Sequence, residues 1–231
     1  MLKPITKESV DRFTCLVLGP AGIGKTSLLR TIPEGEKVLV LSAESGLLSL
    51  RDLVHSRQVE GFEIGSFAEM KEAYQYCISP EGKNFGWIFI DSLTEISSRC
   101  VEAMQSKYPS KSDSFPMWGE YNQLMTAIIK GFRDLQTHSV VFTGLVSVDK
   151  DESNRRFIGP SISGSSLKER LTSYFDEVLL MESRTTEDGT EYRCFLTQPI
   201  ERSCAKDRSG KLSPIEQPNL AAIKTKILGK E

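Results

Sequence analysis

An apolar run, Phe13-Thr-Cys-Leu-Val-Leu18, passes directly into Gly19-Pro-Ala-Gly-Ile-Gly-Lys-Thr26. The octet satisfies G-x-x-x-x-G-K-[ST] at every position. Glycines let the backbone curl so that successive N–H groups face inward on an anion. A strand before the loop and a helix over Thr26 to Thr31 after it complete the arrangement. The helix adds its positive dipole end to the same anion. Lys25 supplies an ammonium for the β- and γ-phosphate oxygens, and the Thr26 hydroxyl a ligand for Mg²⁺. The predicted nucleotide contacts are Gly19, Pro20, Ala21, Gly22, Ile23, Gly24, Lys25, Thr26 and Ser27, with ATP and Mg²⁺ as cofactors. The competing account is a glycine-rich turn that matches by chance.

Short apolar runs alternate with helical stretches along the chain. Lys37–Ser42, Trp87–Asp91, Ser139–Thr143 and Glu177–Met181 read as strands. Ser66–Ile78 reads as a helix with Phe67, Met70, Tyr74 and Cys77 on one face. Ser92–Ser106, Trp118–Gln136 and Leu167–Thr172 read as further helices. This order, with strands apolar on both faces, predicts an α/β fold: a mainly parallel sheet covered by helices. After Met181 the pattern changes. Ser183–Gly189 is a turn-rich link, and Glu191–Thr197 a strand with no helix behind it. Antiparallel strands are therefore expected at the C-terminal end. The expected layout is one domain over 1–231, with a core over about 13–210 and a solvated basic tail over 211–231.

The strand Trp87-Ile-Phe-Ile-Asp91 ends in an acid. At the C-terminal edge of a parallel sheet, Asp91 would stand at the mouth where ligands bind and share Mg²⁺ with Thr26. The other reading of Asp91 is an N-cap for the helix that starts at Leu93, and the two roles do not exclude each other. Two glutamates compete for the role of water-activating base. Glu44 follows the second strand, and Glu95 lies one helical turn past Asp91. Glu44 emerges beside the γ-phosphate if the second strand neighbours the loop strand. Glu95 is expected to point along its helix.

Composition narrows the remaining classes. With 39% hydrophobic and 26% charged residues over 231, the chain is not a disordered one. No apolar run approaches the ~18 residues of a membrane span. A net charge of -2 excludes a bulk polycation, so nucleic-acid binding needs a local patch. Five cysteines without a C-x-x-C pair, and two histidines, exclude a disulfide framework and a histidine metal site. The thiols and the absence of a signal-peptide pattern at the N-terminus predict a cytoplasmic protein.

On four stretches in order, the chain resembles the RecA-like core of the P-loop ATPases. Gly19–Thr26 is similar to the Walker A loop, and Leu41-Ser-Ala-Glu44 to the strand that carries the catalytic glutamate. Ile88-Phe-Ile-Asp91-Ser92 is similar to the Walker B segment. Lys206-Asp-Arg208-Ser-Gly210 resembles the Lys-x-Arg-x-Gly finger of DnaB-type helicase cores. With Ile158-Gly-Pro-Ser-Ile-Ser-Gly164, the chain is similar to phage-encoded, AAA-type RecA-like proteins, some of which act in recombination and single-strand annealing. The resemblance implies a homo-oligomer, ring or filament, with ATP between subunits and Lys206 and Arg208 reaching a neighbour's γ-phosphate. Read without it, the same two residues are edge-strand charges that block aggregation. The nearest polar group for a sensor at the end of the fourth strand is Thr143.

In the resembled family a DNA-gripping loop leaves after that strand. Here the loop holds Lys150, Arg155, Arg156 and Phe157, suited to phosphate contact and base stacking. The other account is an exposed hairpin turning at Ser153-Asn154, with Phe157 folded back and its charge diluted by Asp149, Asp151 and Glu152. Ser106–Gly119, with Lys107, Tyr108, Lys111, Phe115 and Trp118, reads as a loop or short lid whose aromatics dock on the core. The tail lysines Lys224, Lys226 and Lys230 add possible phosphate contacts. Two functions follow. One is an ATPase that binds single-stranded DNA in recombination or annealing, with a single-strand-binding protein as a possible partner. The other is a helicase-loader or regulatory ATPase that switches a protein partner without binding DNA. A small-molecule kinase fits less well, because no lid signature is present.

Overall fold

The computed structural model describes residues 13–44, 50–56, 58–150 and 154–229. Asp151, Glu152, Ser153 and Lys230 lie outside the described residues.

β1 (Thr14–Leu18) runs into the glycine loop, and a six-residue 3-10 helix, Thr26–Thr31, follows. β2 (Val38–Ser42), α1 (Arg51–His55) and β3 (Val59–Glu63) come next. α2 (Phe67–Ile78), β4 (Trp87–Asp91), α3 (Leu93–Lys107), α4 (Ser114–Arg133) and β5 (Ser139–Gly144) complete the first half. The second half holds β6 (Val146–Lys150), β7 (Arg156–Pro160), α5 (Ser165–Leu171), β8 (Glu177–Thr185) and β9 (Glu191–Leu196). It ends with β10 (Lys206–Asp207), β11 (Ile215–Glu216) and α6 (Leu220–Leu228).

The strand order is β11-β9-β8-β1-β5-β4-β2-β3, with β10 beside β8. β1, β2, β3, β4, β5 and β8 are mutually parallel, and the C-terminal strands β9, β10 and β11 pair antiparallel, as expected. The apolar strands are buried on both faces because each face meets its own cover. Leu16, Leu18, Ile88 and Ile90 pack with Met70, Ile96, Met125 and Phe132 of α2–α4. Cys15, Val17, Trp87 and Phe89 pack on the other face with Leu28 and Leu29 of the 3-10 helix and Leu220 and Ile223 of α6.

Three expectations change. The second strand does not neighbour the loop strand: β5 and β4 lie between β1 and β2. The tail is not a solvated terminus. Asn219 accepts a hydrogen bond from the Ala222 N–H, Gly229 ends α6 in the left-handed region, and Leu220 and Ile223 are buried. Lys224 lies 4.5 Å from the centre of the Trp87 ring, and Lys226 pairs with Glu216 at 2.6 Å. The 106–119 stretch is mostly helical, since α4 starts at Ser114 with Pro116 in its first turn, where the missing N–H costs nothing. Its aromatics divide. Trp118 packs edge-on against Tyr121, whereas Phe115 is 91% exposed.

Candidate nucleotide-binding site

The chain's direction changes around β1. It leaves toward β2 and β3, returns through β4 and β5, and then crosses to β8 on the other side. Ligands of open α/β sheets bind in the crevice at such a switch, beyond the strands' carboxyl ends. The glycine loop fills that position here.

Within the loop, Gly24 holds φ +107°, a conformation that a side chain would strain. Lys25 is 8% exposed, and its Nζ donates to the carbonyls of Gly19 at 3.0 Å and Pro20 at 2.9 Å. Burial lowers the Lys25 pKa, while the charges of Glu44 and Asp91 oppose that shift. Ile23 is half-buried, Pro20, Ala21 and Gly22 are exposed, and Ser27 follows in the first turn of the helix.

The end of β4 supplies the acid. Asp91 Oδ2 accepts from the Thr26 hydroxyl at 2.6 Å, and Oδ1 from the Thr143 hydroxyl at 2.5 Å. Both oxygens are thereby oriented, and Asp91 is only 4% exposed. Asp91 does not cap α3. Ser92 does, accepting from the Glu95 N–H at 3.4 Å. The two roles open to Asp91 in the sequence therefore separate onto neighbouring residues. Thr143, the polar group expected at the fourth strand's end, is wholly buried and directs its hydroxyl to Asp91.

Glu44 reaches this cluster despite the position of its strand. β2 pairs with β4, and past its end the N–H groups of Ala43 and Glu44 bond the Asp91 carbonyl at 2.7 and 3.3 Å. The Ser92 hydroxyl donates to Glu44 Oε1. Glu95 instead pairs with Arg99 along its own helix at 3.4 Å. Arg99 in turn donates to the carbonyls of Ala43 at 2.9 Å and Gly65 at 2.8 Å, fixing the backbone before Glu44. Ser92 closes the Walker B-like segment, whereas Arg99 carried no motif and only the fold brings it to the site.

The donor set suits a hard divalent cation. Thr26 offers a hydroxyl and Asp91 a carboxylate at 2.6 Å from each other, both oxygen ligands, as Mg²⁺ prefers. Mg²⁺ bound there would neutralise charge on phosphate oxygens. Lys25, Thr26, Asp91 and Glu44 thus converge on one mouth.

Lys206 and Arg208 do not reach the mouth of their own chain. Lys206 stands opposite Val178, near the start of β8, while the loop leaves β1 beside Leu180 and beyond. Lys206 Nζ donates to the carbonyls of Thr172 at 2.7 Å and Phe175 at 2.5 Å. Arg208 pairs with Asp176 at 2.5 Å, and both side chains are more than half exposed.

The expected DNA segment is the antiparallel β6–β7 hairpin, with Lys150 opposite Arg156. Asn154 has φ 57°, in keeping with a turn there. Lys150, Arg155 and Arg156 are exposed. Phe157 is 39% exposed, and its ring lies over Gly159, where a Cβ would fall 2.9 Å from Phe157 Cε1. Asp149, opposite Phe157 in the ladder, is paired with Lys168 at 2.6 Å.

Among the described residues no helix is long and apolar enough to cross a membrane. No curated protein matches the chain. Among solved structures the chain is similar to a crystal structure of the RadB recombinase, at 16% identity and TM-score 0.46, over 89% of this chain and 90% of that one. A family model described as an AAA domain matches residues 11–209, so the chain belongs to that family.

Proposed function

We propose that this chain is a Mg²⁺-dependent RecA-like ATPase whose ATP-bound form assembles and grips single-stranded DNA, in recombination or strand annealing. The observation that carries the reading is the convergence of Lys25, Thr26, Asp91 and Glu44 on one mouth. Each residue then has a role. The N–H groups of Gly22–Thr26 and the Lys25 ammonium bind the phosphates. Thr26 and Asp91 hold the metal, with Thr143 orienting the carboxylate. Glu44, held by Ser92, takes the proton from the attacking water.

The trans role falls to Arg208. Approach to a neighbouring subunit's nucleotide costs it only an exposed pair with Asp176, worth about 0–1 kcal/mol. Lys206 would have to leave two carbonyls, and in this reading it secures the turn before β8. Such a head-to-tail contact builds a ring or filament. The β6–β7 hairpin, with Lys150, Arg155, Arg156 and Phe157, is the DNA contact in this assembly.

Fluorescence anisotropy of a labelled single-stranded oligonucleotide, with and without Mg-ATPγS, tests the reading. Binding that tightens with nucleotide and weakens with salt is the expected result. Absence of binding in both states at low salt would overturn the DNA assignment in favour of a nucleotide switch acting on a protein partner.

A further inference from the structure

The β8–β9 hairpin forms one wall of the glycine loop, and the sequence motif does not include it. A Cβ on Gly19 would fall 2.8 Å from the Met181 carbonyl oxygen of β8. A Cβ on Gly24 would fall 2.7 Å from Arg193 Nη1 and 3.6 Å from its Cζ. The hairpin therefore touches the loop at both of its outer glycines. Ser183 stands opposite Arg193, three residues past the Leu180 that pairs with Leu18. Arg193 thus sits beyond the end of β1, level with the loop.

Its surroundings separate it from the other arginine of the hairpin. Arg184 is paired with both Glu182 and Glu201. Among the described residues, Arg193 has no carboxylate partner, and it is exposed. It lies against the residue that precedes Lys25, so two cations stand at one loop. A guanidinium is a planar fork of donors matched to phosphate oxygens. The hairpin that carries it is braced at its turn, where the Thr186 N–H bonds the Thr190 carbonyl at 2.9 Å and the Gly189 N–H the Thr186 carbonyl at 3.0 Å.

We propose that Arg193 binds the phosphate chain of the nucleotide held by the loop of its own subunit. This rests on the nucleotide-binding reading above. In that role Arg193 is a cis contact, distinct from Arg208, which acts on a neighbour. The φ of +107° is what makes position 24 a glycine, since the exposed Arg193 side chain could move aside from a Cβ there.

Titrations of the full chain with mant-ATP, mant-ADP and mant-adenosine, for the wild type and Arg193→Ala, test it. The variant is expected to lose about tenfold in affinity for both phosphorylated ligands. Mant-adenosine, which lacks phosphate, should bind both proteins equally. Arg193→Lys, which keeps the charge and loses the fork, should fall between them. Circular dichroism should show the same Tm for all three, since Arg193 bonds no other side chain among the described residues. Unchanged mant-ATP affinity in a folded Arg193→Ala would overturn the inference alone. An equal loss for mant-adenosine would overturn the phosphate assignment. Failure of the wild type to bind any mant-nucleotide would overturn the nucleotide reading itself, and the inference with it.

Discussion

Two lysines at opposite ends of one sheet make the same kind of contact to different ends. Lys25, beyond the carboxyl edge, donates to the carbonyls of Gly19 and Pro20, six and five residues away in its own loop. Lys206, near the start of β8, donates to those of Thr172 and Phe175, more than thirty residues away. Lys25 closes a local loop that phosphate oxygens could take over. Lys206 ties a distant strand to the turn that leads into β8. Their neighbours repeat the contrast. At the mouth, Asp91 is satisfied by two hydroxyls and Glu44 by one. At the far end, Glu177 is 2% exposed and its Oε2 has no hydrogen-bond partner among the described residues. Buried charge alone does not mark a binding site. What distinguishes the mouth is that its polar groups are held by exchangeable partners at the carboxyl ends of the strands.

Substitution should separate the two lysines most sharply. Lys25→Ala removes the ammonium that would neutralise charge on the γ-phosphate. ATP turnover is expected to fall by at least about 10²-fold. Thermal stability should fall by a few degrees as well, because two hydrogen bonds of a buried ammonium are lost. A steady-state phosphate-release assay with a melting curve checks both, and an unchanged rate would remove the site assignment.

Arg208→Ala comes next in size. On the proposed trans role, its removal should reduce turnover about tenfold or more, yet leave mant-ATP affinity of the dilute chain unchanged. Parallel loss of turnover and monomer affinity would place Arg208 in cis and erase the distinction drawn here between it and Arg193.

The mouth was far more legible than the far end, for physical reasons. The glycine loop is a local device, since its spacing alone fixes how the backbone meets phosphate. Asp91 was legible because an acid ending an apolar strand has few other uses. Glu44 was found on a premise the fold does not keep. The strand order puts β5 and β4 between β1 and β2, and Glu44 reaches the site through the backbone bonds past β2. β3 was missed because only Val59 of Val59–Glu63 is buried, leaving no apolar run to read. α6 did leave signals, with Asn219 and Gly229 as its caps and Leu220 and Ile223 at helical spacing, but basic charge masked them. Arg193 has no motif, because its neighbour Gly24 is brought to it only by the pairing of β8 with β1 and β9.

Lys206→Ala sharpens the far end. Two charge-assisted hydrogen bonds to carbonyls are lost, and those carbonyls are left partly buried. A destabilisation of about 2 kcal/mol follows, or roughly 5 °C in Tm for a chain of this size. Nucleotide affinity should not move. A fall in affinity without a fall in Tm would instead make Lys206 part of the nucleotide machinery.

Glu177 gives the most specific test. Burial, with the nearby charge of Asp207 adding to it, raises its pKa from 4.5 to about 8. The folded chain therefore keeps a proton that the unfolded chain releases near pH 4.5. Between these values the folded state binds more protons, so the stability from this group is full at low pH and is lost as pH rises toward 8. Replacement by Gln keeps the shape of the protonated acid and removes the titration. The wild type should lose Tm between pH 5 and pH 8.5 that Glu177→Gln retains, because groups common to both proteins cancel in the comparison. Identical pH profiles would mean that Glu177 is ionised in the fold, compensated by a donor near Asp207, and the two ends of the sheet would then be alike in having every buried charge satisfied.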